Sequence, residues 1–154
     1  NGFIWLNFID NENTFFTKSE NKFSRFNKVK VVDIMKFQNS DTKLPLWLLI
    51  EDIGGYQGYL RYDQSFNNVG YQDHYFVEDP LSEEWDKKTI SLIRSGKSIL
   101  GMTKRQVRIS IGNPEIINHT SSRHGISEQW VYKFENSNKQ FYQFEGGKLT
   151  FINK

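Results

Sequence analysis

The stretch "SILGMTKRQVRISIGNPEII", residues 98–117, contains a short basic run between two glycines. Thr103 and Gln106 have the spacing of a capping box. In this motif the threonine hydroxyl accepts a hydrogen bond from the backbone amide three residues later, and the glutamine side chain accepts one from the threonine amide. Gly112 can adopt the left-handed conformation that ends a helix, and Pro114 cannot continue one. The stretch therefore predicts a short helix between Thr103 and Gly112.

The same glycines and lysines resemble part of a phosphate-binding loop, but that interpretation fails on spacing. The triplet Gly96-Lys97-Ser98 would need a glycine five residues before Gly96, and the chain has Ser91 there. A phosphate-binding loop also follows a strand and opens a helix, whereas this triplet ends a helix predicted over 82–95. We therefore expect no nucleotide site and no cofactor.

Basic side chains on the two predicted helices have no evident structural role. They are Arg94, Lys104, Arg105 and Arg108. A helix that reads DNA needs several side chains that reach base edges, and the second helix is too short for that. We expect no nucleic-acid partner; a protein surface or an anionic lipid surface fits these residues, and the alternative is an ordinary solvated helix face.

Composition favours strands over most of the 154 residues, because 16% of them are aromatic. The absence of cysteine excludes disulfides, thiolate zinc sites and cysteine nucleophiles. No apolar run approaches the roughly 18 residues of a membrane span. The chain begins at Asn1 and not at a methionine, so we expect that a signal segment has been removed.

Four short strands are predicted in the first half of the chain, and they form a small β-barrel-like domain over 1–78. The strands cover 3–9, 28–37, 46–52 and 57–63. Between the last two, Asp52-Ile53-Gly54-Gly55 has the composition of a hairpin turn.

This hairpin resembles those of bacterial Src-homology-3-like barrels, in which a strand containing tryptophan precedes a glycine turn and a Gly-aromatic-aliphatic triplet. The matching residues are Trp47, Gly54, Gly55 and Gly58-Tyr59-Leu60. The resemblance implies that barrel-face aromatics bind peptides or cell-wall fragments, which indicates Tyr56, Tyr59 and Tyr62. The alternative is that these tyrosines are core and cross-strand packing residues.

The second half predicts two helices followed by strands over 115–122, 127–134, 139–145 and 148–152. A small sheet needs helices packed on one face to be stable. The expected fold class is α+β: a barrel-like domain over 1–78, then an ααβββ(β) two-layer domain with an antiparallel sheet over 79–154.

Four elements of this second domain resemble the SmpA/OmlA domain, a BamE-like family that is also similar to the β-lactamase-inhibitor-protein fold. They are Gly101-Met102-Thr103, Gly112-Asn113-Pro114, Trp130-Val131-Tyr132 and Gly147-Lys148-Leu149. The resemblance implies a bacterial envelope protein, often a lipoprotein, that acts through protein contacts. No lipid-attachment cysteine is present in this sequence.

Catalytic and metal-binding patterns are not evident. The histidines, His74, His119 and His124, lack metal-ligand spacing, and no serine lies in a nucleophile-elbow context. We therefore expect no catalytic residue and no metal, and a non-enzymatic interaction or scaffold module of the periplasm or membrane surface. The alternative is a cell-wall or peptide ligand module in the first domain.

Overall fold

The computed structural model describes residues 2–9, 14–18, 20, 23–36, 46–62, 74–135 and 137–154. These residues form two compact units, the first ending at residue 82 and the second covering 83–154. Each unit contains one antiparallel sheet. The expected limits of 1–78 and 79–154 concern independently folding domains and stay a prediction.

The first unit is a curled, six-stranded antiparallel sheet in the order β2-β5-β4-β3-β1-β6. Its strands are β1 Phe3–Leu6, β2 Phe15–Phe16, β3 Lys28–Lys36, β4 Leu46–Glu51, β5 Gln57–Arg61 and β6 Tyr75–Phe76. The strands expected over 28–37, 46–52 and 57–63 are confirmed within the described residues; positions 37 and 63 lie outside them.

One face of this sheet forms the core of the first unit. The buried side chains are Ile4, Leu6, Phe15, Val29, Leu48, Ile50 and Leu60. They alternate along each strand with side chains of the opposite face, as strand geometry requires. Gly58 lies directly over Phe15, whose ring would be 2.9 Å from a Cβ at that position, so the ring of β2 can lie against the backbone of β5.

The predicted hairpin turn between β4 and β5 is confirmed. The Asp52 carboxylate accepts hydrogen bonds from the amides of Gly54 at 2.8 Å and Tyr56 at 2.9 Å. Gly55 has a φ of 81°, a conformation that glycine adopts without steric cost.

The second unit contains both helices and a four-stranded antiparallel sheet in the order β10-β9-β8-β7. The elements are α1 Lys87–Arg94, α2 Lys104–Ile111, β7 Ile116–Ser122, β8 Gly125–Lys133, β9 Lys139–Glu145 and β10 Lys148–Asn153. The four predicted strands are confirmed, with ends that differ by a residue or two.

The capping box at the start of α2 is also confirmed. The Gln106 amide donates to the Thr103 hydroxyl at 3.2 Å, and the Gln106 side-chain oxygen accepts from the Thr103 amide at 2.8 Å. Gly112 caps the other end with a φ of 94°. Helix α1 is shorter than predicted, because it begins after Asp86, whose carboxylate accepts from the Thr89 amide at 2.8 Å.

The expected α+β fold class is wrong. Strands account for 46% of the described residues and helices for 13%, so the described part of the protein is mostly β. The described residues contain two helices of eight residues each. Each is about 12 Å long, whereas the nine-residue strand β8 extends over about 30 Å, so the helices do not make an ααβββ layer.

The barrel-like first domain is a second correction. A closed barrel would pair its two edge strands, and among the described residues β2 pairs with β5 alone and β6 with β1 alone. Within the described residues the sheet is therefore curled, and its edge strands β2 and β6 do not pair with each other. Among the same residues, no helix is long and apolar enough to cross a bilayer.

Candidate functional site

Helix α2 packs on one face of the four-stranded sheet and there contacts a carboxylate. Glu128 of β8 accepts from the Lys104 ammonium at 2.9 Å and from the Trp130 indole N–H at 2.9 Å. The Nδ1 atom of His119 lies 3.7 Å from the same carboxylate. Burial raises the pKa of Glu128, but the hydrogen bonds from Lys104 and Trp130 outweigh it, so that the pKa is lowered. Glu128 is therefore an ionised anchor for α2.

The predicted basic surface is largely occupied by contacts inside the second unit. Lys104 is bonded to Glu128, the Arg108 guanidinium lies 5.1 Å from the centre of the Trp130 ring, and that of Arg105 lies 5.6 Å from the centre of the Trp85 ring. Arg94 is in the last turn of α1, where a cation is favourable. These contacts supply a structural role for side chains that the sequence left unexplained.

The outer face of the six-stranded sheet, opposite its core, contains a group of partly exposed aromatic side chains. Phe16 of β2 stacks on Tyr59 of β5, with ring centroids 4.7 Å apart and planes 17° apart. Trp47 of β4 meets Phe16 edge to face at 5.2 Å. All three rings are partly exposed. We call Phe16, Trp47 and Tyr59 the outer aromatic cluster.

Charged side chains flank the outer aromatic cluster on the same face. Arg61 pairs in register with Trp47, and Lys30 pairs with Glu51. Further along the sheet, the Lys28 ammonium lies 4.7 Å from the centre of the Phe3 ring and 5.2 Å from that of Trp5. The outer face therefore combines an aromatic centre with a mixed-charge margin.

The three predicted tyrosines are not brought together on this face. Only Tyr59 belongs to the outer aromatic cluster. Tyr62 packs against the core, as the alternative interpretation held for it, and Tyr56 lies in the β4–β5 turn with 44% of its surface exposed. The three tyrosines are three residues apart, and residues at that spacing in a strand lie on opposite faces of the sheet.

Phe16, a central member of the cluster, was missed in the sequence. It belongs to a strand of two residues inside a polar stretch, and a strand so short has no period from which to predict it. The paired aromatics Phe15-Phe16 were the only local signal. Its partner Tyr59 is far away in the sequence, and that pairing is visible only in the register of β2 against β5.

The described residues contain no group of three or more His, Asp or Glu side chains placed to hold a metal ion.

Burial raises the pKa values of Tyr132 and Tyr142, and the Tyr132 hydroxyl donates to the Gly112 carbonyl at 3.0 Å. This tyrosine therefore ties β8 to the end of α2.

No family model, curated protein or solved structure matches the chain.

Proposed function

We propose that the protein is a non-enzymatic module of the bacterial cell envelope that binds another protein through the outer face of its six-stranded sheet. The observation that supports this most directly is the outer aromatic cluster. A single exposed aromatic ring is unremarkable on a protein surface, but a contiguous apolar group is typical of interaction sites. Here the Phe16 ring contacts both the Trp47 and the Tyr59 ring on a face that the core of the unit does not use.

The margin of this face supports a protein partner. Protein interfaces commonly have an aromatic centre from which charge is excluded and a polar rim that stays hydrated. Lys30, Glu51 and Arg61 supply both signs of charge around the cluster. A surface for anionic lipid would instead present cations, and Lys104, Arg105 and Arg108 of the second unit contact side chains of that unit.

The envelope location and the relation to the SmpA/OmlA family are part of the same proposal. They rest on the four elements around Thr103, Gly112, Trp130 and Gly147. In that family the domain acts through protein contacts; the outer aromatic cluster lies in the first unit, outside the resembling residues, and supports a protein partner independently. The resemblance of the β4–β5 hairpin to Src-homology-3-like proteins stays a prediction.

Site-specific crosslinking in the native cell tests this proposal. A photoreactive phenylalanine derivative replaces Tyr59, and the same derivative at Tyr56 is the matched control, because Tyr56 is an exposed tyrosine of the same hairpin. We expect one dominant protein adduct from position 59 and a weaker or absent adduct from position 56. Equal adducts at both positions, or none at position 59, would contradict a binding face at the cluster.

A ligand module for cell-wall fragments is the second candidate. The near-parallel stack of Phe16 on Tyr59 favours it, because flat aromatic surfaces also bind sugar rings and extended peptides. Calorimetric titration of muropeptides into the wild type and the Tyr59→Ala variant decides between the two. Binding that is lost in Tyr59→Ala supports the ligand module, and no binding at millimolar ligand excludes it.

A further inference from the structure

Three of the four sheet edges have features that prevent pairing with another strand. The edge strands of the first sheet, β2 and β6, are two residues long. On β10, the register shifts between Leu149 and Phe151, and the segment before α2 covers one end: the Gly101 amide donates to the Leu149 carbonyl, and the Leu149 amide donates to the Met102 carbonyl, both at 2.8 Å. Short strands, bulges and covering segments are the usual protections of an edge.

The fourth edge, β7, has none of these protections. Its seven residues pair with β8 in unbroken register, from Ile116 opposite Val131 to Ser122 opposite Gly125. It contains no proline and no lysine, arginine, aspartate or glutamate. Among the residues that the structure describes, β7 pairs with β8 alone. Since an antiparallel strand directs alternate N–H and C=O groups to each side, β7 presents a row of backbone donors and acceptors.

We propose that β7 binds β7 of a second copy of this chain, antiparallel across a two-fold axis, so that the two four-stranded sheets become one of eight strands. Charge sets the register. With His119 on the axis, Glu115 of one copy, which immediately precedes β7, comes near Arg123 of the other, which follows β7 in the β7–β8 turn, at both ends of the paired strands. Both side chains are exposed. Because β7 itself contains no lysine, arginine, aspartate or glutamate, the pairing places no like charges of these side chains opposite each other.

The two-fold arrangement also closes the assembly. An isologous contact uses the same strand of both copies at once, which consumes both unprotected edges. The eight-stranded sheet would then end on each side at β10, the edge that is bulged and partly covered. A foreign peptide added to β7 would instead present a new unpaired edge of its own. Closure therefore favours a second copy over an added peptide.

Single-cysteine crosslinking tests the register, because these 154 residues contain no cysteine. A disulfide needs Cα atoms about 4.4–6.8 Å apart, a distance that opposed residues of an antiparallel pair satisfy. We expect rapid formation of a disulfide dimer by His119→Cys and little by Ser121→Cys or by Thr150→Cys on β10. Equal rates at the three positions would show random collision and overturn the proposal.

A charge exchange tests the affinity in the 154-residue chain with both units present. Sedimentation velocity over micromolar to millimolar concentration should give a monomer–dimer equilibrium for the wild type. Glu115→Arg brings an arginine of one copy against Arg123 of the other and should weaken the dimer about tenfold. Adding Arg123→Glu restores opposite charges and should restore the affinity. A wild type that stays monomeric, or a double variant as weak as the single one, overturns the proposal. Tyr59 is not involved, so failure here leaves the outer aromatic cluster untouched.

Discussion

The two sheets use aromatic side chains in opposite ways. In the four-stranded sheet, the largest aromatics lie under α2: Trp130 is fully buried and its ring contacts Phe144 at 4.5 Å between centroids. In the six-stranded sheet, the core is mostly aliphatic, and Trp47 and Tyr59 lie on the other face, partly exposed. Large aromatic side chains therefore build the core of the second unit and part of the surface of the first.

The largest effect expected from this difference is on stability. Trp130→Ala should lower the free energy of unfolding by about 3–5 kcal/mol, because it leaves a cavity and removes the indole donor of Glu128. Trp47→Ala removes a partly exposed ring and should cost about 1–2 kcal/mol. Urea unfolding followed by far-ultraviolet circular dichroism measures both. Equal losses would show that the outer aromatic cluster is a second core.

A smaller effect is expected at the carboxylate that anchors α2. Glu128→Gln should cost about 1–2 kcal/mol near neutral pH, because the charge-assisted bond to Lys104 is lost. Since the folded-state pKa of Glu128 is lowered, its contribution is present above the ordinary glutamate pKa and disappears as the pH falls through the lowered value. The difference between wild type and variant should therefore vanish in acid.

The matched control for that experiment is Glu51→Gln in the first sheet. Glu51 accepts an exposed hydrogen bond from Gln57 at 3.1 Å, and an exposed bond of this kind contributes little. The same urea titrations at several pH values should show almost no change. A loss of stability at Glu51 as large as that at Glu128 would show that the partly buried carboxylate contributes no more than the exposed one.

The smallest effects concern local caps, where the two units should behave alike. Thr103→Ala removes the acceptor of the Gln106 amide in α2, and Asp52→Ala removes the acceptor of two amides in the β4–β5 turn. Each should cost about 1 kcal/mol in thermal unfolding. Thr103→Ser and Asp52→Asn retain an acceptor and should recover most of the loss. A much larger loss of stability in one unit would show that the two units differ in their local turns and caps, and not only in how their sheet faces use aromatic side chains.

Local features of this fold are predictable from sequence to the extent that neighbouring residues determine them. The capping box of α2 and the Asp52 turn depend on side chains within four residues of each other, and both are confirmed. The start of α1 was placed too early, because Asp79 and Ser82 also have capping side chains. Asp86 is the residue that caps α1, because its carboxylate accepts hydrogen bonds from both the backbone amide and the hydroxyl of Thr89.

Long-range features were not accessible in the same way. Alternation places Trp47 and Leu48 on opposite faces of β4, but it does not say which face is the core; the burial of Leu48 decides that. Tyr59 was identified as a candidate, yet its stacking on Phe16 depends on the pairing of β2 with β5. The roles of Lys104 and Arg108 likewise depend on β8, which is distant in sequence.

The hydrogen bonds between the segment before α2 and β10 also bear on how the second unit folds. The Leu149 amide reaches the Met102 carbonyl, and Thr103 forms a bridge with Lys148, so the residue that caps α2 is fixed by the last strand of the sheet. Contacts between distant parts of a chain form late, because the loop between them must close first. Helix α2 should therefore gain its full protection from hydrogen exchange only together with β10, and the two should open as one cooperative unit.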